Sequence, residues 1–228
     1  MLDWLKRRPL VAPLFVSASL ILFNFFLMLD VKRGTLPTEE GVTFDRMMRS
    51  VYSRLGNPFS FPKNAQVGWR YDVPLAFYDR LGSQTFNNLR VDVGENADER
   101  FLGVGWSFRE TGSGISFRWA IGKESSFLAP LKSATAYRLE FVCQPFDYAG
   151  APLQVIQILA NGEVTGRVAL SKGLRTYTVK IPEDLLRHNL NEIRFRFQRA
   201  TSPASLGLSG DGRPLAARFD KVSLIRRP

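Results

Sequence analysis

The chain has 228 residues, 31 Lys and Arg against 21 Asp and Glu, a net charge of +10, one cysteine and one histidine. A lone Cys143 excludes an internal disulfide, and a lone His188 excludes a histidine-based metal cluster and leaves little from which to build a nucleophilic triad. The positive charge is dispersed rather than blocked, which favours anionic lipid or an acidic protein partner over nucleic acid.

Pro9 to Leu29, PLVAPLFVSASLILFNFFLML, contains no charged residue. As a helix rising about 1.5 Å per residue it reaches about 30 Å, the thickness of a bilayer's hydrocarbon core, so the pattern predicts a transmembrane helix over 9–29. Lys6, Arg7 and Arg8 precede it, which places residues 1–8 in the cytoplasm and the remainder outside. Trp4 is at the depth of the headgroups. The long apolar core and the poor cleavage sequence Leu27-Met28-Leu29-Asp30 argue against a removable signal peptide. Asn24 is a polar residue within the span. It is either a donor to a neighbouring helix of a partner subunit or a tolerated amide.

Residues 30–85 read as a linker with an amphipathic helix over 43–55 and an extended segment. Thr43 can cap that helix and Gly56 can end it. Phe44, Met47, Met48, Val51, Tyr52 and Leu55 fall on one face, and Arg46, Arg49 and Arg54 lie away from it. Such a helix lies on anionic lipid headgroups or packs against the domain or a partner subunit. Pro58, Pro62, Gly68 and Pro74 make Asn57 to Pro74 turn-rich and suggest an extended connection.

From residue 86 to 228 the pattern is β almost throughout. Leu89 to Val93, Ile115 to Trp119, Tyr137 to Cys143 and Ile193 to Phe197 alternate apolar with polar residues. Asn161-Gly162 between two strand-like runs marks a hairpin. Leu174 to Ile181 is a further strand, Pro182 to Leu186 one helical turn, Ser202 to Pro214 a loop, and Ala216 to Ile225 the closing strand. Short strands at frequent turn spacing predict a mainly β, antiparallel, jelly-roll-like sandwich.

Three groups of residues carry a resemblance. The first is Val93-Gly94, Phe101-Leu102-Gly103-Val104-Gly105-Trp106-Ser107, Glu110, Gly114 and Phe117-Arg118-Trp119-Ala120. The second is Leu159-Ala160-Asn161-Gly162 and Tyr177-Thr178-Val179-Lys180-Ile181-Pro182. The third is Asn189 to Phe197 and Arg213-Pro214-Leu215-Ala216. Over about 86–226 the chain resembles the β-sandwich modules attached to bacterial membrane glycosyltransferases and phosphoglycerol-transferase-like proteins, which are similar to galactose-binding or carbohydrate-binding jelly rolls. The resemblance implies a periplasmic sandwich on a bacterial inner membrane and does not imply transferase activity, because no catalytic domain accompanies it.

No constellation for catalysis, no metal centre and no cofactor site emerges from these residues. Glu95, Asp98 and Glu99 are oxygen ligands in principle but read as a solvated loop. Gly103-Val104-Gly105 lacks the following helix of a phosphate cradle and reads as a bulge or a close backbone approach. Trp119, sharing a face with Ile115 and Phe117, reads as core. Two functions are therefore expected of a non-enzyme. One is a membrane-anchored subunit that scaffolds a larger complex, contacting other membrane subunits through Asn24, Arg46, Arg49, Arg54, Arg194, Arg196 and Arg199. The other is a tethered glycan-binding module using Trp106, Arg118 and Glu110.

Overall fold

The structure, a computed structural model, describes residues 11–32, 41–55, 57, 59–71, 73, 75–112 and 114–227, without the side chains of 11, 12, 15, 30, 46, 49, 53–55 and 83. The chain divides into two compact units, Met1–Asp79 and Arg80–Pro228.

The first unit is helical. Helix α1 spans Val11–Lys32, α2 Phe44–Leu55 and α3 Phe61–Tyr71, and α4 begins at Phe77 and runs to Ser83. Among the described residues no helix is long and apolar enough to cross a membrane. The expected transmembrane helix over 9–29 is thus found as α1 without qualifying as a span. Its described side chains run unbroken only over 16–29, and residues 1–10 lie outside the described residues. Asn24 donates to the carbonyl of Leu20 one turn back in the same helix, at 2.9 Å.

The expected single amphipathic helix is present as α2, but it is not alone. The turn-rich segment expected to be extended folds into α3. Pro62 stands in the first turn, where a missing N–H leaves no intrahelical bond unmade. The Ser60 carbonyl accepts from the N–H groups of Lys63 and Asn64, both at 2.9 Å. The Asp79 carboxylate accepts hydrogen bonds from the Asn57 N–H, the Ser60 hydroxyl and the Asn64 amide. Burial pushes the Asp79 carboxyl up, but these three donors outweigh it and hold it below its ordinary value. Gly68 is packed closely, since a Cβ there would lie 3.1 Å from Leu75 Cδ2.

The second unit is an antiparallel sandwich of two sheets. Its strands are β1 Leu89–Asp92, β2 Glu110–Gly112, β3 Ile115–Ile121, β4 Glu124–Leu131, β5 Tyr137–Pro145, β6 Gln154–Ala160, β7 Glu163–Leu170, β8 Arg175–Ile181, β9 Asn189–Phe197 and β10 Leu215–Arg226. The larger sheet has the order β2-β3-β10-β5-β8, with β1 also paired to β10, and the smaller has β4-β9-β6-β7. The core between them is aromatic: Phe219 stands 5.0 Å from Phe195 and 6.0 Å from Phe141, ring centre to ring centre. The β6–β7 hairpin turns on Asn161 and Gly162, with φ of 52° and 99°, the left-handed pair that this turn requires.

The segment 102–107 sews the two sheets together. The Gly103 N–H donates to the Ser126 carbonyl on β4, and the Ile121 N–H on β3 donates to the Gly105 carbonyl, both at 2.8 Å. The two glycines are there for proximity. A Cβ on Gly103 would stand 2.4 Å from Ser126 Oγ, and one on Gly105 2.0 Å from the Glu124 carbonyl oxygen, with Gly105 at φ +80° besides.

Candidate functional site

Register decides which side chains of β3 face the core. Phe219 lies between the sheets and pairs directly with Arg118, whereas Arg218 pairs with Trp119. Directly opposed residues in an antiparallel pair share a face. Arg118 therefore points inward, and Phe117 and Trp119 point out of the sandwich. The expectation that Trp119 lies in the core is corrected: it is half-buried on the outer face of the larger sheet.

That face carries a connected group of rings and polar groups. Trp119 meets Phe117 edge-on at 6.1 Å and Phe146 at 5.9 Å, and Phe146 lies 5.7 Å from Tyr148. The Arg218 guanidinium stands 4.9 Å above the Phe117 ring and donates through Nε and Nη2 to Gln144 Oε1, at 3.1 and 2.6 Å. The Arg199 guanidinium stands 5.3 Å above Tyr148 and donates from Nε to the Pro152 carbonyl at 2.9 Å. Trp119, Gln144, Phe146, Tyr148, Arg199 and Arg218 are all half-buried, and Phe117 is buried beneath them. Half-buried rings held rigidly beside cations and an amide are the elements of a platform for a polyhydroxylated ligand: apolar C–H faces lie on rings while guanidinium and amide groups meet hydroxyls.

Of the three residues expected to bind glycan, one borders this face. Glu110 pairs with Phe117 across β2 and β3, and its carboxylate accepts from Arg213 Nη1 at 2.7 Å. Arg213 also holds Asp211, whose carboxyl that hydrogen bond brings down to about 2, and it stacks 4.7 Å over the exposed Phe108 ring. The other two are placed elsewhere. Arg118 is 5 % exposed and donates to the carbonyls of Val93 at 3.0 Å and Ser107 at 2.9 Å, bolting the 93–107 segment to the sheet. Trp106 donates its indole N–H to the Ser126 carbonyl at 2.6 Å and packs edge-on against Phe219 at 5.2 Å. Its ring closes the end of the core.

The arginines expected to reach acidic neighbours are engaged within the chain. Arg194 Nη1 and Nη2 meet Glu124 and Glu192 at 2.9 and 2.8 Å, and Arg196 Nε meets Glu124 at 2.7 Å. The side chains of Arg46, Arg49 and Arg54 lie outside the described residues. Among the described residues no group of three or more His, Cys, Asp or Glu is arranged to hold a metal ion. Burial pushes the Cys143 thiol far up, away from nucleophilic chemistry.

The outer-face residues were partly visible beforehand. Phe117 and Trp119 alternate along β3, but alternation gives two faces without saying which one the second sheet covers, and Phe146 and Tyr148 lie in the loop after β5.

No protein-family model matches the chain, and no curated protein matches it. Solved structures do. The chain is similar to a family 35 carbohydrate binding module from Clostridium thermocellum, at 10 % identity, 61 % of this chain, 98 % of that one and a TM-score of 0.40. It is similar to the carbohydrate-binding module CBM36 in complex with calcium and xylotriose, at 13 % identity, 60 % and 98 % of the two chains and a TM-score of 0.37. It is also similar to the C-terminal CBM6 of LamC from Zobellia galactanivorans, at 12 % identity, 61 % and 99 % of the two chains and a TM-score of 0.36.

Proposed function

We propose that the sandwich is a non-catalytic carbohydrate-binding module, tethered through the uncharged stretch 9–29 to the bacterial inner membrane, with the sandwich on the periplasmic side. The observation that carries the binding half is the outward row Trp119–Phe146–Tyr148 with Arg218, Gln144 and Arg199 beside it. Rings in a row along β3 and the loop after β5 suit the repeating faces of a polysaccharide better than a single small molecule in a pocket. The tether is supported by the uncharged stretch 9–29 and by the exposed Leu20, Ile21, Phe25 and Met28 of α1.

The alternative, a scaffold subunit gripping neighbours through surface arginines, is less well supported, since Arg194 and Arg196 already have carboxylate partners in the chain. The test is retention on immobilised envelope polysaccharides by the full chain in mild detergent. Trp119→Ala is expected to weaken retention about tenfold while the fold persists. Retention unchanged by Trp119→Ala, with loss on Trp106→Phe instead, would move the site to the other end of the core.

A further inference from the structure

The helical unit holds apolar surface that its own packing does not use. Helix α3 buries Asn64, Val67, Gly68 and Tyr71 on one side. Away from that side it holds out Trp69, and at the edge of that side Phe61, with Phe59 just ahead of its first turn. Phe59 is 98 % exposed and Trp69 90 %. On helix α2 Val51 is buried, while Phe44, Met48 and Tyr52 of the same apolar stripe, each one turn after the last, are left exposed beside it. Residues at this spacing lie on one side of a helix. Between α1 and α2 lies a cleft of about 440 Å³ lined by Leu27, Met28, Val31, Val42 and Met47 with Asn24 and Lys32.

Aromatic and apolar surface on this scale marks a contact with another phase or another molecule. The charge nearby says which. Residues 44–71 carry Arg46, Arg49, Arg54, Lys63 and Arg70 against Asp45 alone. Phe, Tyr and Trp on one side of short helices, with basic residues flanking them, are the composition of a segment lying in a membrane interface.

We propose that α2 and α3 lie on the surface of an anionic bilayer and set Phe44, Met48, Tyr52, Phe59, Phe61 and Trp69 into the boundary between headgroups and acyl chains. The proposal rests on the tether reading above for bringing the unit to a membrane. It adds that the unit is apposed to lipid along its length rather than hung from a single helix. Trp69, the most exposed large hydrophobic residue of α3, is the reporter.

The experiment uses the full chain in nanodiscs of phosphatidylglycerol and phosphatidylcholine, with and without brominated acyl chains, compared with Trp69→Phe. Bromine is expected to quench a blue-shifted emission component that the variant lacks, by twofold or more, and phosphatidylcholine discs are expected to show much less of that quenching. Trp69 emission that stays red-shifted, unquenched by bromine and open to aqueous iodide overturns the proposal. Emission protected from both quenchers also overturns it, because a protein partner then covers the stripe. Co-elution with the discs reports on the tether separately: a chain that co-elutes with Trp69 in water refutes only the lipid-facing helices, and a chain that does not co-elute refutes both.

Discussion

The two outer faces of the sandwich are built from the same residue types and put them to different uses. On the smaller sheet Arg196 and Arg194 of β9 meet Glu124 on the neighbouring β4, and Arg194 also meets Glu192 two residues back on its own strand, so each cation is neutralised where it stands. On the larger sheet Arg218 lies over Phe117 with an amide for partner, and beside it Arg199, just past β9, lies over Tyr148 of the loop after β5 with a carbonyl for partner. Among the described residues those guanidiniums have no carboxylate partner and rest on a buried and a half-buried ring. The comparison teaches that arginine content alone does not mark a binding surface. Pairing with carboxylate spends the cation on the fold, whereas stacking on an aromatic ring leaves it available.

The sharpest way to break the comparison is through the arginine that belongs to neither face. Arg118→Met removes a buried cation and leaves the Val93 and Ser107 carbonyls without their donors. Losing these bonds costs about 3 kcal/mol, expected as a clear drop in the denaturant midpoint of the full chain. Next in size is the separation of the two tryptophans. Trp119→Ala should weaken polysaccharide binding about tenfold, the scale of one good aromatic contact, with little change in the midpoint. Trp106→Phe should do the reverse, costing about 1 kcal/mol of stability for the lost bond to Ser126 and leaving binding unchanged. Equal effects of the two variants on binding would mean that the outer face of the larger sheet is not the platform.

How much of this the sequence discloses depends on whether a feature is local. The Asn161-Gly162 hairpin, helix α2 and the alternation along β3, β5 and β9 are properties of adjacent residues and are readable from them. Helix α3 is not, because its proline falls in a first turn that only the folded chain defines, and its cap is completed by Asp79, far along the chain. The platform was legible in its parts and not in its place. Trp119 was recognised as sharing a face with Phe117, yet the pairing of Arg118 with Phe219 turns that face outward. Trp106 follows a Gly-x-Gly that reads as a bulge or a close backbone approach, but that the approach is to β4, and that it draws the indole inward, is not written in adjacent residues. Strand register and sheet-to-sheet contact are long-range facts, and they are what moved the candidate site from Trp106 and Arg118 to Trp119, Gln144, Phe146, Tyr148 and Arg218.

The smallest effect tests whether the smaller sheet's outer face is purely structural. The hydrogen bond from Arg196, opposed by burial and joined by the charge of Arg194, holds the Glu124 carboxyl below its ordinary value. A group whose folded value is depressed contributes stability that is complete above its unfolded value and disappears as pH falls through the folded one. Glu124 is about one-third exposed, so solvent screening limits its contribution to about 0.5–1 kcal/mol. Glu124→Gln should therefore lower the melting temperature by a few degrees at neutral pH, and the gap to the parent should close as the buffer is taken below the ordinary carboxylate range. Polysaccharide retention should be the same for parent and variant throughout. A pH-independent gap would mean that the glutamate acts through packing rather than charge, and a loss of retention would show that the neutralised face also binds.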